Sequence, residues 1–172
     1  ASVAPGQFVH VRIPYMEHYV LRRPFSVCDA DPDGGRITIV YKVVGKGTEQ
    51  LSRLGSDTVA NMMGPLGVGF TIPSSDRFPV LVAGGYGCAA TYLLARRSPK
   101  PGLVLIGGRT ADDLLLTDWY ERLGWEVRVS TDDGSQGHHG YVTDLLSEVL
   151  EEAAEPRRLA VCSCGSNGML GT

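Results

Sequence analysis

The chain has 172 residues, 43% hydrophobic and 20% charged, an ordinary globular composition that excludes a disordered, collagenous or mucin-like chain. Sixteen Lys and Arg stand against nineteen Asp and Glu, a formal net charge of −3, so nothing in the charge favours nucleic acid. The apolar runs, longest near 80–83 and 103–106, fall far short of the roughly 20 residues that span a bilayer, and no basic-then-apolar signal opens the sequence.

Residues 1–72 read as β. The segment 7–13 alternates, with Phe8 and Val9 leading into Val11 and Ile13. Asp31-Pro32-Asp33-Gly34-Gly35 is a turn signal. The run 36–44 alternates more cleanly, with Ile37, Ile39, Tyr41 and Val43 on one face and Thr38, Val40, Lys42 and Val44 on the other. The spacing predicts a short helix over 48–54 with Thr48 as N-cap, and a loop over 64–69. Residues 73–79, polar and bracketed by prolines, read as a linker.

From residue 80 the rhythm changes. Apolar strands are expected at 80–83, 103–106, 127–130 and 159–162, and helices at 88–97, 111–123 and 141–152. Asp112 and Asp113 favour the N-terminal dipole of the second helix, and Leu145, Leu146 and Val149 share a face of the third. Such alternation predicts a parallel sheet covered on both faces. The fold class is therefore β followed by α/β, divided as 1–72, a linker at 73–79, and 80–172. About 70 residues with so few strands leave a β region open-edged, and 168–172 reads as a helix just starting. Both ends match the ordered part of a longer chain.

The glycine turn after the strand at 80–83, Gly84-Gly85-Tyr86-Gly87, opens a helix, and backbone N–H groups at such a start suit a pyrophosphate. In a parallel sheet the ligand lies beyond the carboxyl ends of the strands. The other loops there are Gly107-Gly108-Arg109-Thr110, Thr131-Asp132-Asp133-Gly134 and Cys164-Gly165. Position 89 is Ala, so the turn departs from G-x-G-x-x-G, and an ordinary βα turn stays an equal reading. In the β half, Arg22-Arg23-Pro24-Phe25-Ser26 places guanidiniums, suited to bidentate phosphate contacts, beside a hydroxyl; solvated edge arginines are the plainer alternative. Gly45-Lys46-Gly47-Thr48 opens the first helix but is no Walker A loop.

Cys162 and Cys164 should face opposite sides of a strand, which argues against a shared metal; Cys28 and Cys88 lie far off in sequence. Reduced thiols in a cytoplasmic protein are the expectation. His138 and His139 fall in a loop without ligand-spaced partners, so no metal ligand is assigned. No G-x-S-x-G elbow exists, so hydrolase chemistry has no support.

Arg23-Pro24-Phe25-Ser26, Gly45-Lys46-Gly47-Thr48, Gly64-Pro65-Leu66-Gly67-Val68-Gly69-Phe70, Gly84-Gly85-Tyr86-Gly87 and Cys164-Gly165-Ser166-Asn167-Gly168-Met169-Leu170, in that order, resemble the ferredoxin–NAD(P)+ reductase superfamily. Pro5-Gly6-Gln7-Phe8, Thr131-Asp132-Asp133-Gly134-Ser135 and Gly140-Tyr141-Val142-Thr143-Asp144 narrow the likeness to electron-transfer subunits of the dihydroorotate dehydrogenase kind.

The resemblance implies an FAD-binding β-barrel, incomplete here, and a pyridine-nucleotide-binding α/β domain. It implies that Arg23 pairs with the FAD pyrophosphate and that Pro24, Phe25 and Ser26 line the isoalloxazine. Val40, Tyr41 and Lys42 would flank the flavin, and Gly47 and Thr48 would offer donors to its phosphates. Gly84, Gly85 and Gly87 would admit the nucleotide, with Cys164 and Gly165 beside the nicotinamide. Ser26 and Cys164 are the residues implied nearest the chemistry. Arg109 would either meet a 2′-phosphate or pair with Asp112 or Asp113.

The implied activity is electron transfer between NAD(H) and a partner catalytic redox subunit through FAD, with a [2Fe–2S] centre beyond this segment. The family usually has a small aliphatic residue where Tyr86 stands, a proline near Ala89 or Ala90, and a proline where Ser166 stands. Those departures keep two other readings open: a non-catalytic flavin- or nucleotide-binding subunit, and a stand-alone NAD(P)H:flavin reductase.

Overall fold

The computed structural model describes residues 2–170. In the first region β1 (Phe8–Arg12), β2 (Arg23–Ser26) and β5 (Asn61–Leu66) form an antiparallel sheet in the order β2-β1-β5. Alternation places Val9, Val11 and Ile13 inward, all buried with Phe25 and Val27. The turn at 31–35 joins β3 (Asp29–Asp31) to β4 (Arg36–Thr38). Asp31 accepts from the Gly34 N–H at 2.9 Å and pairs with Arg36 at 2.8 Å.

Three expectations for this region need correction. The strand over 36–44 stops at Thr38. Ile37, Ile39 and Tyr41 still pack on the β core, but no described strand pairs with 39–44, and Val43 and Val44 are exposed. Alternation supplies a face; a strand also needs a ladder partner. The expected loop at 64–69 is strand as far as Leu66, because β5 is an edge strand and tolerates Pro65. The first helix is α1 (Lys46–Ser52), capped by Gly45. Thr48 is therefore its third residue, and its hydroxyl accepts from the N–H of Val44 and Gly45 and donates to the Gly45 carbonyl.

The second region contains β6 (Phe78–Gly84), α2 (Gly87–Arg97), β7 (Leu103–Gly108), α3 (Thr117–Arg122), β8 (Glu126–Thr131), β9 (His138–His139), α4 (Val142–Glu152), β10 (Leu159–Cys164) and α5 (Asn167–Leu170). Its five strands are parallel in the order β10-β6-β7-β8-β9. On one face Leu81, Ala83, Val104 and Ile106 pack against Leu94 of α2 and Tyr120 of α3. On the other, Val80, Val82, Leu103 and Leu105 pack against Val142, Leu145 and Val149 of α4. Burial on both faces explains why these strands read as continuous apolar runs.

The helix expected over 111–123 is broken. A 3-10 turn covers Ala111–Asp113, and Leu116 adopts φ 63° before α3 begins. Leu114, Leu115 and Leu116 all pack on the core, and three consecutive residues cannot share one face of a helix. The two histidines expected in a loop form β9 instead, paired with Ser130 and Thr131. Of the helix expected at 168–172, Leu170 ends α5, and residues 171 and 172 lie outside the described residues.

Helix α2 joins the two regions. Its Leu93 belongs to the β core, and Cys88, Ala89, Tyr92, Leu94 and Ala95 belong to the α/β core. Arg96 pairs with Asp29, and Arg97 donates to the Val3 carbonyl. The Tyr120 hydroxyl donates to the Cys88 carbonyl at 2.7 Å and contacts the Thr91 hydroxyl at 2.8 Å, which fixes where α2 starts.

Candidate functional site

A cleft of about 640 Å³ opens at the carboxyl ends of β6, β7, β8 and β10. This is where the strand order reverses, with β7 on one side of β6 and β10 on the other, the usual ligand crevice of an open parallel sheet. Its volume suits a small organic ligand. Gly84, Gly85, Gly107 and Gly108 line it with backbone, and Tyr86, Tyr141, Val142, Thr143 and Met169 with side chains.

Two glycines are required by geometry. Gly85 turns at φ 53° and donates its N–H to the Gly107 carbonyl at 2.7 Å, which folds the chain back from β6 into α2. A Cβ on Gly87 would stand 1.9 Å from the Cys164 carbonyl oxygen, so only glycine lets α2 start so close to the end of β10. Helix α2 begins beside the cleft with no side-chain cap, leaving its positive end for an anion. Beneath Gly107, a cleft-lining residue, the hydroxyl of Ser130 is the one buried side-chain polar atom among the described residues without a hydrogen-bond partner.

The charged groups of the cleft are Lys42, Arg109, Asp113 and Asp132. Lys42 Nζ lies 3.2 Å from Asp113 Oδ1, and Arg109 Nε lies 3.5 Å from Asp113 Oδ2. The hydrogen bond from Lys42, and then the charges of Lys42 and Arg109, hold the Asp113 carboxyl below the usual carboxylate range. Arg109 pairs with Asp113, one of the two roles open to it.

The residues expected from sequence thus divide. Gly84, Gly85 and Arg109 line the cleft, while Gly87 lies behind it against Cys164. Gly165 packs between Gly84 and Met169. Cys164 is half-buried, and burial pushes its thiol up. Lys42, expected to flank a flavin, lines this cleft. Sequence reasoning missed Tyr141 and Thr143 as lining residues, together with Asp113 and Met169. Tyr141, exposed just ahead of α4, left no local pattern that marks it as a cleft residue.

The second locus lies in the β region. Gly47 is buried, and a Cβ there would stand 3.3 Å from Arg23 Nε. The guanidinium therefore sits against the start of α1, which also lacks a side-chain cap. Arg23 is steadied by donating to the Leu21 carbonyl at 3.0 Å. Ser26 is half-buried on β2, and its hydroxyl has no hydrogen-bond partner among the described residues. Pro24 is exposed, whereas Phe25 turns into the core, edge-on to Tyr41 with centroids 5.6 Å apart. Val40 packs on the α/β core.

The four cysteines are free, and no group of three metal-capable side chains occurs among the described residues. Burial pushes the Cys28 and Cys88 thiols up to about 12. His138 has carboxylates nearby, Asp144 at 3.6 Å and Glu148 at 3.9 Å, but they face different ring nitrogens. No described helix is long and apolar enough to cross a membrane.

Comparison with known proteins gives a consistent set of likenesses. No protein-family model matches the chain. It is 36% identical over 153 residues to an electron transfer subunit of dihydroorotate dehydrogenase B (NAD(+)) from Fusobacterium nucleatum, covering 86% of this chain and 59% of that protein. The same subunit from Geobacillus kaustophilus is 36% identical over 171 residues, covering 96% and 64%. Among solved structures, one of an NADH-dependent reduced ferredoxin–NADP oxidoreductase superposes with a TM-score of 0.74 at 32% identity, covering 88% of this chain and 55% of that one. The chain therefore spans about six tenths of the length of the curated relatives it matches.

Proposed function

We propose that this chain, which has the ferredoxin reductase fold and is related in sequence to electron-transfer subunits of dihydroorotate dehydrogenase B, is the FAD- and NAD(H)-binding part of such an electron-transfer subunit. One observation carries the reading: two glycine-bearing helix starts whose N-cap residues supply no side-chain cap, at α1 beside Arg23 and at α2 beside the cleft, lie in adjoining regions joined through α2. A flavin nucleotide and a pyridine nucleotide each need one such place for phosphate.

FAD fits the first locus. Arg23 and the α1 amides at Gly47 and Thr48 hold its pyrophosphate, and a side chain on Gly47 would fill the space. The free hydroxyl of Ser26 offers a hydrogen bond to the heterocycle edge, with Pro24 beside it. Val40 and Tyr41 fix the neighbouring segment from inside the two cores. The pyridine nucleotide fits the cleft. Gly84 and Gly85 let its phosphates approach α2, whose start Gly87 fits closely against β10, and Tyr141 gives a plane for the base. Asp132 offers a carboxylate to ribose hydroxyls, which favours NAD(H) over a ligand with a 2′-phosphate. Cys164, kept neutral by burial, and Gly165 close the inner end of the cleft, where water must be kept out. Bound flavin supplies exchange of a hydride for single electrons; the protein supplies binding, orientation and a dry site.

A catalytic redox subunit, dihydroorotate dehydrogenase-like or other, completes the proposal as the partner that donates or accepts electrons. The free thiols support a reducing, cytoplasmic setting. The cysteines described here do not fit a [2Fe–2S] cluster, since no group of metal ligands forms among the described residues.

The test is flavin content after purification and reconstitution. Arg23→Ala removes a charge-assisted contact of about 1.5–3 kcal/mol, so FAD affinity should fall roughly ten- to a hundredfold. Arg23→Ala protein that keeps wild-type FAD affinity would remove the first locus. A flavin that NADH leaves oxidised in the wild type would favour a non-catalytic binding subunit, with Tyr86 in the cleft as the reason.

A further inference from the structure

We infer that Asp113 is a positioning residue for the nucleotide cleft, holding the ammonium of Lys42, a residue of the β region, in place as an anion contact. The inference rests on reading the cleft as the pyridine-nucleotide site.

The two residues are 71 positions apart and meet at 3.2 Å. Lys42 belongs to the segment 39–44, which pairs with no described strand. No backbone ladder therefore sets where its tip goes. Asp113 is better fixed. It ends the 3-10 turn at Ala111–Asp113, its N–H donates to the Thr110 carbonyl at 3.0 Å, and its side chain is 18% exposed against 46% for Lys42. The sheltered carboxylate is thus the anchor and the lysine the group being held.

One carboxylate is shared by two cations, because Arg109 reaches its other oxygen. Among the described residues Asp132 is the only other carboxylate on the cleft wall, and Tyr86 and Tyr141 are its other titratable side chains. An ammonium has three donors, so Lys42 can keep Asp113 and still meet a phosphate oxygen. A ligand that engages Lys42 then also favours docking of the segment 39–44 onto the α/β region, and the coupling is reciprocal.

The experiment is calorimetric titration of the FAD-loaded protein with NADH and with ADP-ribose, which carries the pyrophosphate but no nicotinamide. Titrations run at two salt concentrations on the wild type, Lys42→Met, Asp113→Asn and the double variant. Lys42→Met should weaken both ligands about tenfold and flatten the salt dependence while the flavin is retained. Lys42→Arg should recover most of that loss. In the Asp113→Asn background, Lys42→Met should change affinity by under about twofold, because the lysine is no longer held in place. The inference is overturned if Lys42→Met costs the same factor with and without Asp113, or costs nothing. A wild-type protein that binds neither ligand would overturn the cleft reading itself, a result distinct from failure of the coupling.

Discussion

The two regions of this molecule solve the same packing problem with unequal means. In the α/β region the two central strands β6 and β7 are buried on both faces, and Leu81, Val104, Leu105 and Ile106 have no exposure at all. In the β region a three-stranded sheet and a two-stranded hairpin bury one face only, and Val20, Val43, Val44, Val59 and Val68 remain in solvent. The difference decides where each site gets its rigidity. The cleft is built from strand ends in a core packed from both sides. The Arg23 locus depends on a short helix, an edge strand and the support that α2 lends through Leu93 and Arg96.

Core truncation should break the comparison most strongly. Leu105→Ala empties the middle of the parallel sheet and should cost about 2–5 kcal/mol in urea unfolding. Val68→Ala in the β region should cost almost nothing, since Val68 is 97% exposed. Equal losses would mean that the burial contrast has no energetic weight.

Next in size is Gly87→Ala. A methyl placed 1.9 Å from the Cys164 carbonyl forces α2 away from β10, and overpacking of that kind costs about 1–3 kcal/mol. NADH affinity should fall with FAD affinity nearly intact; an unchanged NADH affinity would show that the α2 start is not part of the nucleotide site. Arg96→Ala should be milder. It removes a partly exposed pair with Asp29 of roughly 0–1 kcal/mol, so the expected outcome is slightly faster proteolysis of the β region and no change in the α/β core.

Near neutral pH the smallest effect is that of titration. Cys28 and Cys88 have thiols pushed up to about 12 by burial. A raised folded value contributes stability that is whole below the ordinary thiol range and is lost as pH climbs towards 12. Alkaline unfolding should therefore release both thiols together, whereas alkylation at pH 8 should reach the half-buried Cys162 and Cys164 first. Asp113 has the opposite sign: its depressed carboxyl keeps its contribution at neutral pH and loses it as pH falls through the folded value.

Legibility in the sequence followed the same divide. The apolar runs at 80–83 and 103–106 are strands because burial on both faces leaves little other use for them, and Gly84, Gly85 and Gly87 lie where a strand must turn into a helix. The run at 36–44 alternates as well as any strand, yet ends at Thr38, because ladder partners are a property of the fold and not of the segment. The triplet Leu114-Leu115-Leu116 broke a helix that the acidic start at Asp112 and Asp113 had favoured. Asp113 and Lys42 were each visible, but a contact across 71 positions leaves no local pattern. Tyr141 was hidden for the same reason, since only the closure of the sheet brings the start of α4 to the cleft.

The most direct test of the central claim is an anaerobic titration of the FAD-loaded protein with NADH, followed by its visible spectrum. The account predicts that the flavin bands bleach with about one equivalent of NADH, since one hydride carries the two electrons that a flavin accepts. A flavin that binds but stays oxidised under excess NADH would contradict it, and would leave two nucleotide sites with no electron path between them.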